Sequence, residues 1–123
     1  MIADHGRAVL GAAVHALSER KAEDLVILDL RGRVPFADFF VICHGTSDRQ
    51  VRSLAEAVEG EVRERTGSRP RREGELGAEW VLLDYGDLLV HVFSESAREY
   101  YRLDRLWSDA PRLDAAAVLA GDV

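Results

Sequence analysis

The run Phe39-Phe40-Val41-Ile42-Cys43-His44-Gly45-Thr46-Ser47-Asp48-Arg49-Gln50-Val51 decides the fold. Its first five residues are all apolar, too continuous for a strand with one wet face, and predict a strand buried on both faces. Gly45-Thr46-Ser47 then turns the chain. Ser47 and Gln50 form an S-x-x-Q capping box, which satisfies free backbone N–H groups at a helix start. Behind it Val51, Leu54, Ala55, Val58 and Val62 recur at the helical period. Glu59/Arg63 and Glu61/Arg65 stand four apart on the wet side, and Gly67 is placed to end the helix. A buried strand feeding a capped amphipathic helix points to an α/β domain.

Working outward, Leu25–Leu30 reads as a second buried strand that leaves through Arg31-Gly32-Arg33. Val34 before Pro35 is held extended, so no helix fits there. At the start, Leu10, Ala13, Val14 and Leu17 lie opposite Asp4, Arg7, Gly11 and Ser18, an amphipathic helix within Met1–Leu17. Downstream, Arg69–Ala78 reads as a loop with a short edge strand near Arg71. Trp80–Asp84 and Leu88–Phe93 are strands of a hairpin, with Gly86 supplying the positive φ of its turn. Ser96 and Glu99 suggest a second capping box, opening a helix with Tyr100, Leu103, Leu106 and Trp107 on its apolar side, limited by Pro111. The order α-β-β-α-(β)-β-β-α predicts a mixed sheet of four or five strands with helices on both faces. Residues 1–111 form one domain on this reading, and 112–123 are a tail with no more than a weak helical turn.

Composition narrows the function. The 123 residues carry 16 basic and 22 acidic side chains, a net charge of −6. That balance argues against gripping nucleic acid over a wide face, which needs clustered positive charge. One cysteine excludes an intrachain disulfide and fits a reducing compartment. No apolar run approaches a membrane span, and Asp4 with a lone Arg7 makes a poor signal peptide, so the expectation is a cytoplasmic protein without a membrane contact.

Candidate chemistry is thin. Gly45-Thr46-Ser47 at a helix start could hold a phosphate, but one glycine and no lysine make a plain turn and cap the better reading. No D-x-D follows to hold magnesium, and Asp84 and Asp87 flank a turn, where Asp is favoured for its own hydrogen bonds. Cys43 with His44 or His91 invites a nucleophile and base, yet Cys43 closes an apolar run as a small hydrophobe does. His5, His15, His44 and His91 show no metal-ligand spacing around the single thiol. Neither catalysis nor a cofactor is expected. Trp80, Tyr85, Tyr100, Tyr101 and Trp107 instead crowd the last third, among Asp84, Asp87, Asp104 and Asp109. Aromatics rimmed by charge suit a protein interface, and an acidic rim selects a basic partner.

Three stretches together resemble the ribosomal silencing factor family, the RsfS or Iojap group. The first is Asp38–Ile42 followed by Gly45–Val51; the second is Glu79–Asp87 with Val90-His91-Val92-Phe93; the third is Arg98-Glu99-Tyr100-Tyr101, Leu103 and Leu106–Ala110. The likeness runs from Ala22 to Pro111 and leaves the tail outside. It departs at Phe39, where the family more often has Tyr, and at Cys43, where a small residue is usual. The resemblance implies a nucleotidyltransferase-like fold without the catalytic carboxylates. It also implies a cytoplasmic factor that binds the large ribosomal subunit through ribosomal protein fourteen and keeps the small subunit from joining. The contact residues it suggests are Trp80, Leu82, Asp84, Tyr85 and Asp87 on the hairpin, with Arg98 and Tyr101 on the following helix. A homodimer is compatible with it, and no primary nucleic-acid contact is expected. Two rival classes stay open: a nucleotidyltransferase-like enzyme using Asp84 or Asp87 with the Gly45–Ser47 turn, and a dimeric regulatory domain with no ribosomal target.

Overall fold

The computed structural model describes residues 4–74 and 79–122; part of the Arg69–Ala78 loop and the first three residues of the expected first helix lie outside them. The elements are α1 (Asp4–Glu19), β1 (Glu23–Asp29), β2 (Phe39–Gly45), α2 (Asp48–Thr66), β3 (Arg71–Glu73), β4 (Trp80–Asp84) and β5 (Leu88–Ser94). They continue through α3 (Glu95–Tyr101), α4 (Leu103–Leu106), β6 (Arg112–Leu113) and α5 (Ala115–Leu119). The sheet order is β3-β4-β5-β2-β1-β6; β2 runs parallel to β5 and the other neighbours are antiparallel.

The apolar run of β2 sits inside the sheet because it needs cover on both sides. Phe39, Val41 and Cys43 enter the core under α1 and α2, with Ile27, Val81, Leu83, Val90 and Val92. Phe40 and Ile42 enter a second core with Val26, Leu28, Phe93, Ala97 and Ala110. Helices therefore lie on both faces of a mixed sheet. Ser47 caps α2 by accepting from the Gln50 N–H at 3.0 Å, and Gln50 Oε1 accepts from the Thr46 N–H at 2.7 Å, one residue earlier than a strict capping box. Gly67 ends α2 at φ 79°, its N–H donating to the Arg63 carbonyl. Arg65 pairs with Glu61, whereas Glu59 is taken by Arg72 of β3 and not by Arg63.

Two expectations change. The sheet has six strands, because the segment after Pro111 returns to it: β6 pairs with Ile27 and Leu28, and the Asp29 N–H donates to the Pro111 carbonyl. Val118 of α5 is buried in the α1–α2 core, so residues 112–122 pack on the domain and do not trail from it. A two-residue strand carries no periodic signal. The helix expected from Ser96 is also two helices. Ser94 is the cap of α3, accepting from the Ala97 N–H at 3.1 Å, and the helix stops at Arg102, which takes φ 46°. The break rotates α4, leaving Leu106 70% exposed, and Tyr100 on the preceding α3 is 82% exposed, where one apolar stripe was expected.

Candidate functional site

Side chains alternate across a strand, so Trp80, Leu82 and Asp84 of β4 share the face turned away from α1 and α2. Their partners Phe93, His91 and Leu89 on β5 share it too. The short helix α3 covers only part of this face, and a line of rings is left along it. Trp80 lies 4.8 Å from Phe93 and 4.9 Å from Tyr101, centroid to centroid, and Tyr101 meets Tyr100 edge-on at 5.0 Å. On the other side His91 lies 4.6 Å from Phe40 at a tilt of 57°, and Phe40 lies 6.3 Å from Phe36. Tyr100 is 82% and Phe36 56% exposed, so the line ends in open rings at both extremes. Two hollows border Trp80 and Tyr101, one of about 320 Å³ lined by Glu73, Gly74, Trp80 and Leu82, the other of about 430 Å³ lined by Glu79, Ser96, Ala97, Tyr100 and Tyr101. Such a surface offers large rigid rings with polar handles at small entropic cost, the composition that anchors protein contacts.

His91 supports this face from below. Its Nδ1 accepts the Trp80 indole N–H at 3.1 Å, and burial pushes its pKa down to about 4, so the ring is neutral near pH 7. An accepting Nδ1 places the proton on Nε2. The pattern of apolar runs missed this role, as it missed Phe36 and the exposure of Tyr100; period-two counting from Trp80 to His91 would have found the first.

Of the residues expected at the contact, Trp80, Leu82 and Tyr101 come together, with Asp84 on the same face nearer the turn. Asp84 Oδ1 accepts the Gly86 N–H at 2.8 Å, while its other oxygen lies 3.7 Å from Arg71. The Asp87 side chain is exposed at the hairpin tip, and its carbonyl accepts from the N–H groups of Asp38 and Phe39. Tyr85 is not in this group. One residue past Asp84, it turns to the opposite face and packs against the α1–α2 core, its buried hydroxyl unpartnered and its pKa raised by that burial. Arg98 is not at the surface either. It is 2% exposed, with Nη2 3.2 Å from Asp24, Nη1 3.4 Å from His44 Nδ1 and Nε 3.5 Å from the buried Asp104. It fixes α3 to β1 and α4, and so positions the tyrosines.

The geometry separates the groups of the enzyme reading. In the β2–β5 pair Gly45 is beside Ser94 and Phe39 beside Leu88, so the Gly45–Ser47 turn and the Asp84–Asp87 turn occupy opposite ends of the strands. Seven residues of strand put about 20 Å between them. Cys43 and His91 point to opposite faces, and burial pushes the thiol up to about 12. Among the described residues, no group of three or more His, Cys, Asp or Glu could hold a metal ion, and no helix is long and apolar enough to cross a membrane.

The family model described as ribosomal silencing factor during starvation matches residues 3–122, which takes in the segment after Pro111. The ribosomal silencing factor RsfS of Halalkalibacterium halodurans is 42% identical over 112 residues, covering 91% of this chain and 96% of its own. A crystal structure from Chromobacterium violaceum superposes with a TM-score of 0.76 at 34% identity, covering 81% of this chain and 83% of that one. A mouse protein named for mitochondrial assembly of the ribosomal large subunit is 25% identical over 112 residues, 89% of this chain and 49% of its own.

Proposed function

The chain belongs to the family of ribosomal silencing factors, and from that premise we propose that it represses translation in the cytoplasm by binding the large ribosomal subunit through ribosomal protein fourteen. Held on the face that meets the small subunit, it prevents joining by its bulk. The observation that carries this reading is the open line Tyr100–Tyr101–Trp80, a ready anchor for another protein, with Asp84 on the same face of β4 toward the hairpin turn. A net charge of −6 favours a basic ribosomal protein over bare RNA as the first contact. A 123-residue domain has a radius of gyration of about 14 Å, hence a thickness near ~35 Å, which no close subunit interface accommodates. No bond is made or broken; position and affinity suffice. The mouse relative is named for assembly of the large ribosomal subunit of mitochondria.

The test is sedimentation of the protein with purified large subunits, small subunits and joined ribosomes. Pelleting with large subunits alone supports the reading. Pelleting with small subunits, or with none, overturns it.

A further inference from the structure

Charge is distributed unevenly over this acidic chain. Between positions 63 and 72 lie Arg63, Arg65, Arg69, Arg71 and Arg72 against the single acid Glu64, so this segment carries 5 − 1 = +4 and the rest of the chain −6 − 4 = −10. The left-handed cap at Gly67 reverses the chain, bringing Arg69 back beside Arg63 in one open hollow with Glu56 and Glu59. Glu59 is held by Arg72 at 3.2 Å, and Glu61 by Arg65 at 3.0 Å. Arg63 and Arg69 make no ion pair among the described residues, and Arg71 is 78% exposed with only a 3.7 Å approach to Asp84. Arg71 opens β3, the outer edge of the sheet, and two residues on Glu73 and Gly74 share a hollow with Trp80 and Leu82, whereas Arg63 and Arg69 flank that edge on the α2 side.

We infer that Arg63, Arg69 and Arg71 form a second contact, to the phosphate backbone of ribosomal RNA bordering the protein on which the aromatic face docks. This rests on the proposed function. A ribosomal protein at a subunit surface is set in RNA, and a partner that covers it with one face must bring its neighbouring edge against phosphates. Arginine suits that edge, since its planar fork pairs with two phosphate oxygens at once. The acidic remainder keeps the chain off RNA elsewhere, so the cationic edge adds orientation to the aromatic anchor without promoting indiscriminate binding. Charges on an edge strand also discourage edge-to-edge pairing, and that role alone predicts no effect on ribosome affinity.

The experiment measures affinity of the wild type and of the triple variant Arg63→Gln/Arg69→Gln/Arg71→Gln, for purified large subunits across a salt series and for isolated ribosomal protein fourteen. Arg65 and Arg72 are left in place because they neutralise Glu61 and Glu59. Three phosphate contacts give a salt slope steeper by about 2 to 3, so the wild type should lose roughly 30-fold more affinity for subunits than the variant between ~50 and ~200 mM salt. Affinity for the isolated protein should be equal for both. A folded variant with unchanged subunit affinity and slope would overturn the inference and leave the arginines as edge protection. An equal loss on the isolated protein would also overturn it, since the arginines would then face protein. Failure of the wild type to bind either target would instead remove the reading on which the inference rests.

Discussion

The Trp80 indole N–H donates to Nδ1 of His91 at 3.1 Å, diagonally across the β4–β5 pair. Trp80 is at the centre of the aromatic face and His91 lies almost wholly beneath it, between Trp80 and Phe40. One residue sets the rotation of the other. The bond works only while Nδ1 carries no proton, so the set of the aromatic face and the neutrality of a buried imidazole are linked.

That linkage makes stability depend on pH. The folded pKa of His91, about 4, lies below the ordinary value of 6.5, so the unfolded chain binds the extra proton first as pH falls. Stability from this group is full above about pH 6.5 and is lost progressively down to about pH 4, amounting to about 3 kcal/mol. Urea unfolding of wild type and His91→Gln at pH 7, 5.5 and 4.5 checks it. The wild-type midpoint should fall more steeply than the variant's over that range.

Arg98 and Tyr101 separate packing from binding. Replacing Arg98 with Met leaves the buried Asp104 carboxylate with only Arg112, 3.9 Å away, and should destabilise the domain by about 3 kcal/mol, read by chemical denaturation. Tyr100→Ser and Tyr101→Ser remove exposed rings and should change stability far less while weakening subunit binding. An Arg98→Met protein of wild-type stability that fails to bind would make Arg98 a contact residue after all.

Cys43 should react with thiol reagents only on unfolding. It is fully buried under α1 and α2, and burial pushes its pKa up to about 12. Slow labelling of native protein and one fast equivalent in urea are expected; fast native labelling would contradict the packing.

At the hairpin tip, Asp84→Asn keeps an oxygen for the Gly86 N–H, so Asp84→Asn/Asp87→Asn should stay folded and lose some affinity. The double change to Lys should abolish binding, because like charges at a contact cost several kcal/mol. Titration of folded variants against large subunits checks both.

Much of this was legible locally. Ser47, Gly67 and Gly86 act through their own neighbours in the chain, and the apolar runs of β1, β2 and β5 announce burial on both faces. What could not be read depends on residues far apart or on strain. Arg102 adopts φ 46° with no glycine to signal it, and that break separates α4 from α3, so that Leu106 faces solvent. Arg98 is buried because Asp24 and His44, more than fifty positions away, come to it. Tyr85 belongs to the second signature in sequence, but the strand's alternation sends it to the other side of the sheet from Trp80.

In the proposed function an exposed aromatic face holds the protein on the large subunit, and its bulk then blocks joining. The most direct measurement is subunit association, followed by gradient sedimentation, with rising amounts of wild type or of Tyr100→Ser/Tyr101→Ser added to large subunits before small ones. Wild type should lower the joined fraction in proportion to its occupancy of large subunits. The folded double variant should need at least about tenfold more protein for the same effect, as loss of an anchor costing ~1.4 kcal/mol or more requires. Equal inhibition by the two proteins, or full occupancy by wild type with joining undiminished, would contradict it.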